Sequence, residues 1–399
     1  MATVWFETVF GFKEKGYEGT RKKFKIIDES SDGKDEGEIY LLSVPNQVRF
    51  KIGKFEVLSV QDLHERLEEA QIPCESKNCE LGSMTFKNIT GSVKTLIRDR
   101  ANHGAVFQAA SQFNCLEMVG PGVSPERGVK DYVSDPTQGP ACALMCPGAL
   151  VYRNYCHNGG QGRGNQIDCL LPVAKVLGAP KNKYWKMKNG YALPLQTDSM
   201  RKLGDRLNSD LKLRDTALKA LQIGVHWSTE VHKKDKEKVG IPLMVSQMFC
   251  SAVPVAYAKS TTSKDWSTFA QLVLDASYEA TLLAAGVLAV KRNARVKVYL
   301  TMLGGGAFGN RQGWIISAIK RALKKFSSLP LDIFLVHYHR LNSMCKELES
   351  VLKKNSQKNA TQGKADVSKL IEELDSVAVE NNEGKSPDKT ITIDPQNTL

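Results

Sequence analysis

Several familiar signatures are missing from this sequence, and each absence narrows what the chain can be. Its nine cysteines share no repeating spacing, which excludes a disulfide scaffold. An odd count without a secretory leader leads us to expect reduced thiols in the cytoplasm or the nucleus. The leader is read as absent because residues 1–7 carry no basic stretch and already end in an acid, Glu7. No apolar run is read as reaching the length needed to span a bilayer, so no membrane partner is expected. Cys142, Cys146 and the pair Cys156-His157 lack a second close pair at zinc-finger spacing. Buried thiols, rather than a metal site, are the expectation there. There is no Gly-x-Ser-x-Gly elbow, no RNA-recognition signature and no fixed-period repeat.

What is present is ordinary in bulk. The chain has 399 residues, 42% hydrophobic and 25% charged, enough for two or three domains, or one large domain with appendages. The net charge of +12 favours anionic partners. The basic clusters, however, are dispersed at Arg21-Lys22-Lys23, Lys233-Lys234 and Lys320-Arg321, without interleaved aromatics. Solvated faces are expected, and a nucleic-acid scaffold ranks last among the functions considered.

Three regions separate by pattern. Residues 1–95 read as a β-rich N-terminal domain, with strands at 3–10, 38–42 and 48–52, a polar loop at 28–37 and a helix at 60–70. Residues 96–345 alternate strands at 105–110, 222–227, 243–255, 296–301 and 331–336 with strong helices at 266–288 and 312–326. Such alternation predicts an α/β fold, a sheet covered on both faces by helices. Residues 346–399 are rich in Lys, Asn, Ser and Glu and poor in aromatics, so a mostly disordered tail is expected, with one short helix at 367–377.

The sharpest motif is Gly304-Gly305-Gly306-Ala307-Phe308-Gly309-Asn310, between the strand at 296–301 and the helix at 312–326. Glycines let a backbone turn take positive φ and approach a ligand. Consecutive N–H groups can then face one concavity, reinforced by the helix dipole, which suits a phosphate. No Lys-Ser/Thr follows, so this is not a nucleoside-triphosphate loop, and the dinucleotide spacing is absent too.

This motif resembles the second phosphate loop of macrodomains and poly(ADP-ribose) glycohydrolases. The resemblance implies a macrodomain-like mixed sheet and a diphosphate wrapped by residues 304–310. Phe308 would lie along the distal ribose, and Asn310 would open the helix. Val106-Phe107-Gln108-Ala109-Ala110-Ser111 is similar to the ribose-binding strand end of that family. Gln108 and Ser111 stand where asparagines are usual, and Gln112 and Asn114 lie close enough to take over their role. The strings 108–118 and 132–142 resemble an arginine-specific branch of macrodomain-like ADP-ribosylhydrolases. Thr137, Gln138 and Gly139 would form the first loop, Gly139 letting the backbone approach the diphosphate. Tyr338, at the end of the last strand, would stack on adenine.

The same resemblance implies ADP-ribose as ligand and product, with no required cofactor. It also implies mono-ADP-ribosylated protein partners, ubiquitin and other arginine-modified proteins among them. We expect a cytoplasmic or nuclear monomer. Opening an N-glycosidic bond needs positioned carboxylates, and Asp135, Glu117 and Asp131 are the catalytic candidates, with Glu126 behind them. Each has a plain alternative as a cap of a following turn. The glycines at 159–164 read as a mobile lid or a surface hairpin. Tyr278 and Glu279 are expected to bond loop backbone. A non-catalytic ADP-ribose reader is the second function these residues allow.

Overall fold

The computed structural model describes residues 2–29, 38–71, 81–178, 183–232 and 241–352. Residues 353–399, with the helix expected at 367–377, lie outside the described residues, as do Lys233-Lys234 and most of the 28–37 loop. The strands are β1 Phe24–Asp28, β2 Ile39–Ser43, β3 Val48–Lys51, β4 Lys54–Ser59, β5 Thr85–Thr90 and β6 Val106–Ala110, then β7 Trp185–Lys188, β8 Tyr191–Pro194, β9 Gln222–Glu230, β10 Met244–Cys250, β11 Val296–Leu300 and β12 Leu331–His337. The helices are α1 Ala2–Phe10, α2 Tyr17–Arg21, α3 Val60–Gln71, α4 Val93–Arg98, α5 Gln138–Ala143 and α6 Pro147–Val151, then α7 Leu171–Val176, α8 Ser199–Ser209, α9 Leu211–Ala220, α10 Ser263–Arg292 and α11 Gln312–Lys325.

A mixed seven-stranded sheet runs in the order β4-β9-β10-β6-β11-β12-β5. From β10 to β5 neighbouring strands are parallel, while β9 is antiparallel to both β10 and β4. Its middle strands are apolar because both faces are covered; four of the five residues of β6 are buried. The thirty-residue α10 packs with α3, α8 and α11 over one face. By length and composition it would be able to cross a bilayer, against the sequence expectation of no such run. Asp275 and Glu279 interrupt its apolar pattern and hide its length. Its apolar stretch is wholly buried inside the protein as the core helix.

The division at residue 95 is not a structural boundary. β4 forms one edge of the central sheet and β5 the other, so the first hundred residues are built into the main body. At the other end, Leu348, Val351 and Leu352 are buried beyond residue 345. The strand expected at 3–10 is helix α1. There the spacing of Phe6, Val9 and Phe10, all buried while Val4 is exposed, is helical, and it overrides the β-propensity of the individual residues. Phe10 meets Phe24 and Phe50 at 5.2 Å between ring centres, joining α1 to the small sheet β1-β2-β3.

The N-terminal segment also fixes the approach to the cleft. Buried Glu14 accepts hydrogen bonds from the N–H groups of Val129 (2.9 Å) and Lys130 (2.7 Å) and from the Tyr155 hydroxyl (2.6 Å). Trp5 donates to the Lys130 carbonyl at 2.7 Å. Residues 129–134, which lead to Asp135, are thereby held from behind.

Candidate active site

Parallel strands end on one side of a sheet, and the crevice beyond their carboxyl ends is where α/β folds bind ligands. Here the ends of β6, β10, β11 and β12 open into a cleft of about 690 Å³. Ser111, Gln112, Glu117, Asp135, Thr137 and Phe308 line it together, drawn from segments nearly two hundred residues apart.

The glycine loop forms one wall. Gly304 and Gly309 take left-handed φ values of 68° and 71°. A Cβ at Gly304 would fall 2.5 Å from Ala252 Cβ and 2.6 Å from Asn310 Nδ2, so only glycine fits. Two side chains pin the loop's ends. The Tyr278 hydroxyl on α10 donates to the Thr301 carbonyl (2.7 Å) and accepts from the Leu303 N–H (3.0 Å). Asn310 donates to the Val253 carbonyl at 2.8 Å and, more weakly, to that of Gly304. Between these pins, the N–H groups of Gly306, Ala307 and Phe308 have no hydrogen-bond partner among the described residues. Gly304, Gly306, Ala307 and Phe308 line the cleft; Gly305, Gly309 and Asn310 do not. Asn310 is therefore a clamp on the loop rather than a ligand contact.

Four other expectations resolve into scaffolding. Gln108, fully buried, donates to Thr281 Oγ1 at 2.8 Å and accepts from the Thr301 N–H at 3.3 Å, so strand alternation has turned it toward α10 and away from the cleft. Asn114, also fully buried, donates to Gln166 (3.0 Å) and accepts from the Leu116 N–H (3.2 Å). Gln138 lines the cleft but spends both amide groups on β6, bonding the Gln108 carbonyl and the Ala110 N–H at 2.9 Å each. A Cβ at Gly139 would sit 1.8 Å from the Ala110 carbonyl oxygen. Its glycine is required by the seating of α5 on β6, not by an approach to diphosphate.

The three acids separate sharply. Asp131 pairs with Arg127 on the surface at 3.1 Å and does not line the cleft, so it forms a local ion pair and is neither a cleft acid nor the turn cap expected as its alternative; Glu126 likewise bonds Ser124 and Arg163. Asp135 is half-buried in the cleft wall, its Oδ1 accepting from the Thr137 N–H (2.8 Å) and hydroxyl (2.6 Å). These bonds close a side-chain turn just before α5 and fix the carboxylate's direction. Glu117 is 2% exposed, lines the cleft, and has no hydrogen bond to either carboxyl oxygen among the described residues. Burial, with Asp135 adding to it, pushes its carboxyl up to about 8 against the pull of Arg153. Its backbone N–H donates to the Tyr132 hydroxyl at 2.7 Å. The rest of the loop is fixed by Gln112, whose Oε1 accepts from the Met118 N–H at 2.8 Å.

Three contributors escaped the sequence. Tyr191, from the β7–β8 hairpin, and Tyr257 pack with Phe308 as an aromatic trio, ring centres 5.1 to 5.6 Å apart. All three line the cleft. Arg153, fully buried, reaches to within 3.8 Å of Glu117. Aromatics from distant segments and one arginine in a Tyr-Arg-Asn-Tyr string carry no local signal. Tyr338 also lines the cleft, 65% exposed and edge-on to His339 at 4.1 Å. The Gly162–Asn165 turn of the expected lid forms a bridge tied to Glu126 through Arg163. Glu279 bonds His64, Arg321 and Lys325 rather than loop backbone. Among the described residues no group of three His, Cys, Asp or Glu side chains comes together to hold a metal ion.

No protein-family model matches the chain, and no curated protein matches it. Solved structures give loose likenesses. One is poly(ADP-ribose) glycohydrolase from Deinococcus radiodurans in complex with ADP-ribose, 10% identical over 75% of this chain and 93% of that chain, TM-score 0.37. Another is poly(ADP-ribose) glycohydrolase from Thermomonospora curvata bound to the inhibitor ADP-HPD, 11% identical over 89% of this chain and 98% of that chain, TM-score 0.34. The chemistry of the cleft has to be read from its own residues.

Proposed function

We propose that the cleft binds ADP-ribose and hydrolyses the N-glycosidic bond joining it to a protein side chain, arginine being the linkage its acids suit. One observation carries this reading: Gly306, Ala307 and Phe308, whose backbone N–H groups have no partner among the described residues, line the same cleft as Glu117 and Asp135. The amides suit a diphosphate. The Phe308 ring, steadied by Tyr191 and Tyr257, suits the apolar face of a ribose. On this reading the two acids act at the anomeric carbon.

In the reaction, water adds to the anomeric carbon as the bond to the guanidino nitrogen breaks through an oxocarbenium-like state. Asp135, directed by Thr137, takes the water proton. That proton leaves on the guanidino group, so the products are ADP-ribose and unmodified arginine. Glu117 bonds a ribose hydroxyl and, in its ionised form, offsets the positive charge that develops. Asp135, joined by Glu117 once that group ionises, also attracts a cationic guanidinium before cleavage.

The test is ADP-ribose release from an arginine-modified protein, together with calorimetry using ADP-ribose, ATP and NAD. The expected result is turnover by the wild type, and binding without turnover by Asp135→Ala. Binding with no release from any linkage would leave a reader module. No binding at all would remove the phosphate-loop reading as well.

A further inference from the structure

We propose that Arg153, a side chain outside the cleft, is a positioning residue for Glu117: it braces the carboxyl from behind, favouring its anionic form and its aim into the cleft. For the catalytic consequence, this rests on the function proposed above.

The geometry is unusual for a structural arginine. Arg153 lies in the helical turn Tyr152–Cys156 that follows α6, and it is fully buried. Its guanidinium carbon sits 3.5 Å from the centre of the Phe249 ring. Nε donates to the Cys115 carbonyl at 3.1 Å. Nη1 and Nη2 have no hydrogen-bond partner among the described residues. Arginines buried for structure use their planar fork on two parallel bonds to a carboxylate. Here Nη2 stops 3.8 Å from Glu117 Oε1, too far for a hydrogen bond but close enough for a strong Coulomb term away from water. Both partners thus remain open, and buried polar groups left open in this way point to a functional site.

Glu117 is enclosed on the side away from Arg153 as well. Its N–H is held by the Tyr132 hydroxyl. A Cβ at Gly139 would come within 3.1 Å of Glu117 Cγ, so the stem lies close against α5. The groups that act on its charge are Arg153, Tyr132 and Asp135; the nearby Cys142 thiol, itself raised by burial and by the Glu117 charge, stays neutral. Burial and Asp135 oppose ionisation, and Arg153 is the chief group favouring it. On its far side Arg153 faces His226, whose buried ring is held neutral, and the buried Cys146 thiol. Neither supplies an anion, so the positive charge acts on Glu117.

The experiment compares wild type, Arg153→Met and Arg153→Lys as full-length proteins. The Glu117 carboxyl is titrated by carbon-13 NMR without ligand, alongside the pH profile of kcat/KM for ADP-ribose release and calorimetry with ADP-ribose. In Arg153→Met the Glu117 midpoint should rise by about 1 pH unit or more, as expected on losing an opposite charge at this range. The ionisation-dependent limb of kcat/KM should move with it, while ADP-ribose affinity barely changes. Arg153→Lys should restore part of the displacement. If Arg153→Met fails to fold, Arg153→Lys decides alone: an intermediate midpoint with kcat reduced more than KM supports the proposal. A wild-type midpoint and pH profile in whichever variant folds overturns it. A wild type that shows the Glu117 titration yet releases no ADP-ribose sinks the hydrolase reading and leaves the Arg153–Glu117 coupling standing.

Discussion

Replacing Gly306 by alanine separates ligand contact from folding more cleanly than any other change in the loop. Gly306 is exposed, outside the left-handed region, and a Cβ built on it meets no atom within 4 Å. The folded protein therefore accepts the methyl without strain. The unfolded chain loses freedom, so stability should hold or rise by about 0.4–1 kcal/mol. If a diphosphate lies against the amides of residues 306–308, the methyl stands between donor and ligand. Forcing an extra methyl into a filled space costs about 1–3 kcal/mol, so the Kd for ADP-ribose should weaken about 5- to 150-fold at about 1.4 kcal/mol per decade. Gly304→Ala is the contrasting control. Its left-handed φ costs about 1–2 kcal/mol for any side chain, and its Cβ strikes Ala252 and Asn310, so Tm and affinity should fall together. Calorimetry and thermal melting read both variants. Wild-type Tm with wild-type affinity in Gly306→Ala would refute the reasoning, because it would mean no ligand touches the loop.

Glu117→Gln should abolish release and change the pH dependence of stability. A folded value near 8 against 4.5 unfolded means the native state holds the extra proton between them, so wild-type stability falls as pH rises from 4.5 toward 8. Urea melts across that range should show the decline in wild type and a flatter line in the variant. Glu279 has the opposite sign. Burial would raise it, but His64, Lys325 and Arg321 hold it at about 2, so its contribution is complete above 4.5 and lost as pH falls from 4.5 toward 2. Glu279→Gln should cost about 2–3 kcal/mol at neutral pH, less than a wholly buried pair because Arg321 and Lys325 still reach water. Melts in acid should converge with wild type. Asp131→Ala should leave release unchanged and stability within about 1 kcal/mol, the range of a surface ion pair; loss of turnover would restore Asp131 to the catalytic set.

The central strands and both large helices are legible in the sequence because burial writes itself as apolar runs and 3.6-residue stripes. The glycine turn is legible because few sequences tolerate so many glycines without a backbone reason. β4 and β5 are not: Phe86 is the one buried residue of β5, and β5 joins the central sheet only through β12, more than two hundred residues away, as β4 does through the distant β9. The facing of a strand residue is equally hidden. Gln108 and Ser111 look alike as polar neighbours, yet one turns to α10 and the other to the cleft, because register is a property of the sheet. For the acids, the sequence offers candidates by proximity; only packing separates surface Asp131 from enclosed Glu117.

Tyr278 and Asn310 grip the glycine turn at its two ends, one from the long core helix and the other from the loop's own exit. The consequence is thermodynamic. A span tethered at both feet has its freedom removed when the chain folds, so the anion proposed to bind there would find its donors already in formation. Little ordering entropy is then left to oppose association. Affinity here should depend on the geometry of a few main-chain dipoles, and relaxing either tether should weaken capture by loosening the loop before any ligand arrives.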